Sequence, residues 1–486
     1  MSEIKNLAPK AIWHNFYLLT QVPRPSGHLE KIQKFLLDWA KERNIEAFQD
    51  KAGNIIMRKP ATPGMEDRKI VTMQGHMDMV PQKAKDSKHD FLNDPIETWI
   101  DGEWVKTKGT TLGADDGMAV AAIMAVMEDD TIPHGPIEGF ITADEETTMY
   151  GVDHMDTDTL TGEILLNLDD ETEGEMIIGS AGGVNQTARM EYQEVDVDPE
   201  DAAVRVNIHG LLGGHSGLEI NLGRANANKL MARLVQDAIA NYAARLATWY
   251  GGNMRNAIPN EAEVVLTLPK ENVEAFKKEC VAEWRDTFKA EYGFVEEKLD
   301  VEVFDHELPS KLVPEEIQDN LVDAIYGCHN GVFRFIPETP HIVETSSNLA
   351  IIEIGGGKVF FKILIRSSRD SMKECLAETL GSIFSMADLK VELDGDYPAW
   401  QPNMKSEIVE LMRKIYKELF GNDNNVEVIH AGLECGIIGS KYPKMDMVSF
   451  GPTLRSPHTA NERCHIPSVD KYWVFLKEIL AQTPKK

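Results

Sequence analysis

The chain has 486 residues, 42% of them hydrophobic and 27% charged, as in ordinary globular proteins that bury a core in two or more domains. Its formal net charge of −29 repels nucleic acid and anionic membrane surfaces, and no cluster of lysine and arginine offsets it. No apolar run approaches the roughly 18 residues of a membrane-spanning helix. We therefore expect neither nucleic acid nor a membrane among its partners.

The cysteines and the first residues predict where the protein works. Five cysteines are odd in number and none is spaced as Cys-x-x-Cys, which is typical of a reducing compartment and argues against disulfides or a thiolate zinc site. The N-terminus lacks the basic and apolar segments of a secretory signal. A cytoplasmic location is expected.

The first predicted elements are two helices and a strand that leads to a histidine. A helix is predicted over residues 11–22, and Ser26 is predicted to be the N-cap of the next one. The apolar, β-prone residues 70–73 then lead to His76 and Asp78. Alternation along a strand puts these two side chains on one face, about 6–7 Å apart. A bend between them would let the Asp78 carboxylate orient the imidazole, as partners of metal-bound histidines do.

Acidic residues follow the next apolar segments in the same way. Asp115 stands at the start of a predicted helix, beside the positive end of its dipole, and two short apolar strands lead to Glu145-Glu146 and to Asp169. In open α/β sheets the binding crevice lies outside the carboxyl ends of the strands. We therefore expect these acids and His76 to converge there.

The middle of the chain has a different pattern of predicted strands and helices and looks like one insertion. About 210 residues, 185–397, alternate strands and helices, and one helix is predicted from Asn226 to about Leu246. The sequence thus predicts an α/β protein with a catalytic domain, a mixed sheet flanked by helices, made of residues 1–184 and 398–486. The insertion is predicted to be an α+β lid domain.

A pair of divalent metal ions would suit the predicted crevice. Two metals about 3.5–4 Å apart need a bridging carboxylate, terminal imidazole and carboxylate ligands, and an open position for water. Glu145 is then free to act as general base. Zinc is the expected metal, although mixed imidazole and carboxylate ligands also accept manganese or cobalt. The residues that can supply the ligands are His76, Asp115, Glu146, Asp169 and His458.

At this point the chain resembles a known family, the di-zinc exopeptidases related to bacterial carboxypeptidases and aminoacylases. The five matching motifs are His76-Met-Asp78, Gly113-Ala-Asp115-Asp116-Gly117, Asp144-Glu145-Glu146, Asn167-Leu-Asp169 and Ser456-Pro-His458. Four further segments resemble the bacterial Xaa-His dipeptidases within that family, those at residues 212–217, 255–259, 365–367 and 430–436. The resemblance covers essentially the whole chain.

The resemblance implies a role for each residue of the metal centre. Asp115 would bridge the two metals. His76 and Asp169 would complete one metal site, and Glu146 and His458 the other. Glu145 would be the base, and Asp78 would orient His76.

The inserted domain is expected to supply the substrate contacts. By the resemblance, His215 would stabilise the oxyanion, and Arg366 with Asn256 would hold the substrate carboxylate. Relatives with short lids take this histidine from a partner subunit, whereas a lid of about 210 residues is long enough for the chain to supply its own. A homodimer is compatible with the sequence and is not needed to complete the site.

Each candidate also has a structural interpretation. Acid pairs are usually solvated faces or helix caps. His215 lies in a glycine-rich segment that could be only a tight turn, and Arg366 could simply pair with Asp370. Glu434 is either an acid in the wall of the site or a buried, hydrogen-bonded one. The acids predicted to be bystanders are Asp116, Asp144 and Asp170.

The predicted function is metal-dependent hydrolysis of dipeptides that carry a free carboxylate, Xaa-His dipeptides such as carnosine among them. Two alternatives stay open. One keeps the chemistry and changes the substrate, as in an N-acyl amino acid deacylase or an aminopeptidase. The other is a catalytically silent binding or scaffold protein, against which the intact base and ligands argue.

Overall fold

The computed structural model of the protein describes residues 3–337 and 339–486, which divide into two compact units. Unit 1 contains the chain up to Ser180, Trp400–Val428 and Leu433–Lys486, and unit 2 contains Ala181–Ala399 and Ile429–Gly432. The boundaries proposed from the sequence, 184/185 and 397/398, lie four and two residues from this division. That the second unit acts as a lid stays a prediction.

Unit 1 is built on a mixed sheet of eight strands. Its four central strands run parallel, as expected for strands joined by helical crossovers, and the strands on either side of these four pair with them antiparallel. In spatial order the strands are Glu46–Gln49, Ile55–Lys59, Ile137–Thr142, Val71–His76, Ile164–Asn167, Asp446–Ser449, Glu175–Ser180 and Asn425–Ile429. A smaller sheet orders Leu454–Arg455, Arg463–His465, Trp104–Thr107 and Thr98–Asp101.

The helices of unit 1 pack around this sheet and bury one hydrophobic core. The helix Ala114–Glu128 has buried residues on every side from Ala114 to Met127, because helix Lys10–Thr20 covers the side that faces away from the sheet. Predicted α/β architecture, with a mixed sheet flanked by helices, is therefore confirmed. The helices are Lys10–Thr20, Glu30–Glu42, Ala114–Glu128, Glu145–Thr148, Tyr150–His154, Glu407–Phe420, Glu434–Lys441 and Ile466–Gln482.

Unit 2 has its own core between an antiparallel sheet and four helical segments. The sheet order is Asp300–His306, Asp201–His209, Ala262–Pro269, Arg245–Gly251, Thr339–Gly355, Lys358–Ser367, Gly182–Glu191 and Lys390–Tyr397, with Gly331–Ile336 also paired to Thr339–Gly355. The helical segments are Ala227–Tyr242, Val273–Tyr292 with a π-helical stretch at Phe276–Val281, Glu315–Gly327 and Asp370–Met386. A short ladder joins Val195–Asp196 to Lys311–Leu312.

Two local predictions are wrong. The helix expected to run to Leu246 ends at Tyr242, because Ala243 adopts a left-handed conformation (φ 56°) and its N–H caps the Ala238 carbonyl. Strand Arg245–Gly251 follows at once, and the residues between the helix and this strand include neither glycine nor proline. Ser26 is not an N-cap: the helix begins at Glu30, and the Ser26 hydroxyl donates to Asp78 instead.

Among the described residues, no helix is long and apolar enough to cross a membrane.

Candidate active site

The four parallel strands of unit 1 end at one edge of the sheet, and the predicted metal ligands follow those ends. His76 is the last residue of its strand, and the neighbouring strand ends at Thr142, three residues before Glu145. The strand on the other side ends two residues before Asp169. This is the edge where open α/β sheets bind ligands.

Asp115 lies between two imidazoles. Its Oδ1 is 3.0 Å from Nε2 of His76, and its Oδ2 is 3.0 Å from Nε2 of His458. The second imidazole is also 3.0 Å from Oε2 of Glu146, and the first is 3.6 Å from Oδ1 of Asp169. The Asp115 carboxylate thus lies between two groups of side chains. One contains His76 and Asp169, and the other contains His458 and Glu146. A carboxylate that bridges two metals requires this arrangement.

The adjacent Asp116 has a different environment. Its Oδ2 accepts the backbone N–H of His76 at 3.2 Å, and its Oδ1 accepts the N–H of Ala119 at 3.4 Å. The carboxylate packs where a side chain on Gly75 would be, so the glycine permits this contact. Asp116 also lies close enough to His76 and Asp169 to share an ion with them. The two oxygens of Asp115 face different histidines, whereas those of Asp116 accept backbone N–H groups, so the geometry suits the predicted bridge at Asp115 better.

The electrostatics of this cluster fit bound cations. Burial raises the pKa of Glu145 and of Asp169 well above the usual range, and neighbouring carboxylates raise both further. Burial also acts to raise the pKa of Asp115, but hydrogen bonds with both histidines outweigh it and hold that pKa low. Oε1 of Glu146 is buried without a hydrogen-bond partner. So many carboxylates in a small buried volume are stable in their ionised form only beside positive charge, which divalent metals supply.

Asp78 holds both the histidine and the acidic loop. Its Oδ1 lies 3.4 Å from Nδ1 of His76 and accepts the backbone N–H of Glu145 at 3.0 Å. Its Oδ2 accepts the N–H of Glu146 at 3.3 Å and the hydroxyl of Ser26 at 2.7 Å. The resemblance implied only the first of these contacts. One fully buried carboxylate therefore holds the imidazole of His76 and the backbone of Glu145 and Glu146 in place.

Two buried charged residues that sequence reasoning did not single out hold the loop before Asp115. The Glu462 carboxylate accepts four backbone N–H groups, those of residues 112–115, at 2.7–3.2 Å. The Arg24 guanidinium donates to the carbonyl oxygens of Met77 and Asp78 at 3.0 Å and to that of Gly113. These contacts fix the backbone of both ligand-bearing loops. The only hint in the sequence is that Glu462 stands four residues after His458.

His215 belongs to unit 2, where the backbone fixes its tautomer. Its Nδ1 accepts the N–H groups of Gly217 and Leu218 at 3.2 and 3.0 Å, so the ring proton of the neutral form is on Nε2. The ring can therefore donate a hydrogen bond from Nε2. Asn256 is exposed beside it, and its carbonyl oxygen accepts the N–H of Ser216.

Arg366 is a buried cation with no acidic partner within ion-pair distance in the part of the chain that the structure describes. It is 6% exposed; Nη1 donates to the Tyr397 hydroxyl at 3.0 Å, and Nε has no partner. The predicted alternative, pairing with Asp370, is wrong, since that carboxylate lies 3.1 Å from Lys373. Burying a charge without a counter-ion is costly, so this guanidinium is suited to bind an anion.

His430 of unit 2 lies close to both His215 and Arg366. The sequence indicated it only as part of the segment at residues 430–436. Its Nε2 is 2.7 Å from the hydroxyl of Ser346, the residue paired with Arg366 in the sheet, and its carbonyl packs against Gly217. Burial, together with the positive charge of Arg366, lowers the pKa of His430 to about 3. The imidazole is therefore neutral and adds no competing charge to the guanidinium.

Comparison with known proteins shows the family of the chain. The model of peptidase family M20/M25/M40 matches residues 72–482. Over all 486 residues the chain is 39% identical to the cytosol non-specific dipeptidase of Escherichia coli K12, and the match covers 100% of both proteins. The chain belongs to peptidase family M20/M25/M40. The resemblance found in the sequence is thereby confirmed.

Solved structures extend the comparison. The chain is similar to the aminoacylhistidine dipeptidase of Vibrio alginolyticus, with 40% identity, a TM-score of 0.90 and coverage of 100% of this chain and 99% of that one. Aminopeptidase PepT of Bacillus cereus is 15% identical with a TM-score of 0.56 over 98% and 99% of the two chains, which shows the shared fold alone. Membership of the M20 family implies divalent-metal binding, and unit 1 contains the candidate ligands.

Proposed function

We propose that the protein is a dipeptidase that uses two divalent metal ions, and that unit 1 holds both of them. The observation that carries the proposal is the position of Asp115, with one carboxylate oxygen 3.0 Å from His76 and the other 3.0 Å from His458. Asp169 would complete the first metal site and Glu146 the second. The ligands contain no thiolate, which suits a catalytic zinc site, with manganese and cobalt as alternatives.

When bound, the metals would lower the pKa of a water molecule and polarise the scissile carbonyl. Glu145 would take a proton from the attacking water as its oxygen bonds to the carbonyl carbon. It would return that proton to the amine nitrogen as the carbon–nitrogen bond breaks. Because burial raises its pKa, the Glu145 carboxyl is a stronger base than an exposed glutamate once ionised. Asp78 would keep it in place through the backbone N–H of Glu145.

Residues of unit 2 would recognise the substrate. The Nε2–H of His215 would donate to the oxygen of the tetrahedral intermediate, a role for which its fixed tautomer is required. Arg366 would bind the free carboxylate of the dipeptide, with Asn256 as a further polar contact. We also propose that residues 185–397 act as a lid that brings these groups to the substrate. A homodimer remains a prediction.

The substrates proposed are Xaa-His dipeptides such as carnosine, together with other dipeptides. Two relatives that match over nearly their whole length support this range, since one is named a non-specific dipeptidase and the other an aminoacylhistidine dipeptidase. The first is also named a cytosol protein, which supports the proposed cytoplasmic location.

A substrate panel tests the activity itself. After chelation the protein should hydrolyse nothing, and adding back Zn²⁺, Mn²⁺ or Co²⁺ should restore hydrolysis of carnosine and other dipeptides. Rates on tripeptides and on acetylated amino acids should be lower, because the first are longer than the proposed substrate and the second lack its free amino group. Faster turnover of acetylated amino acids would make the protein a deacylase. A metal-saturated protein that hydrolyses no dipeptide would be a silent relative.

Arg366→Met should abolish the preference for a free carboxylate. Leaving a buried anion without its partner costs about 2–5 kcal/mol, so kcat/KM for a dipeptide should fall by roughly 30-fold or more. Turnover of the same dipeptide as its C-terminal amide should hardly change, because the amide carries no charge to lose. Initial rates on both substrates measure this.

Arg369→Met is the matched control for that experiment. Arg369 lies three residues further on, is half exposed and stands 3.4 Å from Glu344. Its removal should leave the ratio of carboxylate to amide rates as in the parent. An Arg366→Met protein that keeps the same ratio would show that another group binds the carboxylate.

A further inference from the structure

Glu434 is a buried carboxylate of unit 1 outside the proposed metal centre. It is 1% exposed, begins the helix Glu434–Lys441, and is absent from every group of side chains near enough to share an ion among the described residues. Its Oε2 accepts two hydrogen bonds, from Nε2 of Gln74 at 2.5 Å and from Oγ1 of Thr142 at 2.7 Å. Both donors are completely buried.

The two donors lie at the ends of strands that carry active-site residues. Gln74 is two residues before His76 on its strand, so both side chains are on the same face. Thr142 pairs with His76 in the parallel ladder and lies three residues before Glu145. The Glu434 carboxylate therefore joins the strand of one ligand to the strand that leads to the proposed base.

A third strand is tied to the same carboxylate through Gln74. The side-chain amide of Asn167 donates to Oε1 of Gln74 at 2.6 Å, and the two residues are paired in the ladder. Asn167 is the last residue of its strand and lies two residues before Asp169. Three adjacent parallel strands are thus linked, just before their catalytic ends, by a buried chain of side-chain hydrogen bonds that ends on Glu434.

Core packing alone gives no reason for a carboxylate here. Removing a charge from water costs several kcal/mol, and a hydrophobic side chain of similar volume would fill the space without that cost. Burial raises the pKa of Glu434 to about 7, which shows the same penalty. An oxygen acceptor gives Gln74 and Thr142 a fixed orientation. Without it, their donor groups would be buried with only long contacts at 3.4 Å, from Gln74 to the Thr142 hydroxyl and from Thr142 to the Gly75 carbonyl.

We propose that Glu434 is a positioning residue that fixes the ends of these three strands and thereby sets the affinity of the centre for divalent metal. The inference rests on the proposed function, since it takes unit 1 to hold the metals. Side chains that orient metal ligands typically change metal affinity by about 10–100-fold. Glu434 differs from Asp78 in that it acts one step further away, through the strands and not through a ligand.

The decisive measurement is Zn²⁺ affinity, determined by competition with a chromogenic chelator on the full-length protein. Glu434→Met removes the acceptor at nearly constant volume and should weaken Zn²⁺ binding about 10–100-fold. Glu434→Gln keeps an oxygen acceptor in the same place and should retain the parent affinity. Equal loss in both variants would overturn the proposal, because charge and not hydrogen bonding would then be responsible. Unchanged affinity in Glu434→Met would also overturn it.

Glu138 provides a matched control on the same strands. It is 2% exposed and accepts hydrogen bonds from Thr72 and Thr161, but Thr72 lies at the opposite end of the strand that finishes with His76. Glu138→Met should lower the melting temperature and leave Zn²⁺ affinity unchanged. A loss of affinity as large as that of Glu434→Met would mean that any loosening of the sheet weakens the site, and the proposal would be wrong.

A further variant covers the case in which Glu434→Met does not fold. Gln74→Met breaks the links to Glu434 and to Asn167 while leaving the carboxylate in place, and it should weaken Zn²⁺ binding in the same direction. Unchanged affinity there would overturn the inference. If the parent itself binds no divalent metal, the proposed function fails. If the parent binds and these variants bind equally well, only the role of Glu434 fails.

Discussion

Glu145→Gln should keep its metals and lose its turnover. The substitution removes the proposed general base and leaves each proposed ligand in place. Acid–base catalysis typically contributes about 10²–10⁴-fold, so kcat should fall by at least that factor. The amide has nearly the same shape, and the backbone N–H that binds Asp78 is unaffected. Elemental analysis together with kcat for a dipeptide measures both parts of the expectation.

The neighbouring acid provides the control for this variant. Asp144 has a left-handed backbone (φ 52°), which asparagine tolerates, and its carboxylate accepts the N–H of Gly27. Asp144→Asn should therefore retain the turnover of the parent, because Asp144 is predicted to take no part in catalysis or metal binding. A Glu145→Gln protein that works within about tenfold of the parent would remove Glu145 from the role of base.

Asp115→Ala should release both metals, whereas His458→Ala should mainly weaken one. The Asp115 carboxylate faces His76 with one oxygen and His458 with the other, so its loss removes a ligand from each proposed metal site. An imidazole at one end of the cluster can contact only one ion. We expect turnover to be lost in both variants, with metal content separating them.

Metal content per chain, measured after dialysis against a fixed concentration of free Zn²⁺, checks this expectation. The parent should hold two ions, His458→Ala close to one, and Asp115→Ala none. Two ions retained in Asp115→Ala would transfer the bridge to Asp116, which also lies near His76 and Asp169.

The candidate ligands could be predicted from the sequence because metal chemistry restricts residue type and strand periodicity restricts position. A histidine or an acid just after a short apolar strand is a local pattern, and several such patterns in one chain reinforce one another. The α/β class followed from the same alternation of strands and helices. The end of the helix at Tyr242 could not be predicted in this way, since a left-handed alanine and the contacts that stabilise it carry no local signal.

Asp78 could be predicted to orient His76 because it lies two residues away, but residues that hold the proposed ligands from distant parts of the chain could not be predicted. Glu462 binds backbone N–H groups up to 350 positions away, and any sequence has such groups everywhere. Glu434 likewise meets Gln74 across 360 positions. No periodicity or spacing reports these pairings.

Local patterns were enough to indicate which side chains are able to bind metal and take a proton, and that most of them follow apolar strands. The order of the strands came only from the packing of the whole chain, and with it the position of the Asp115 carboxylate between two histidines while Asp116 turns to the backbone. The physical reason is that ligand type is a local chemical property. Strand order and buried hydrogen bonds, in contrast, depend on how distant segments pack, and many packings share the same local pattern.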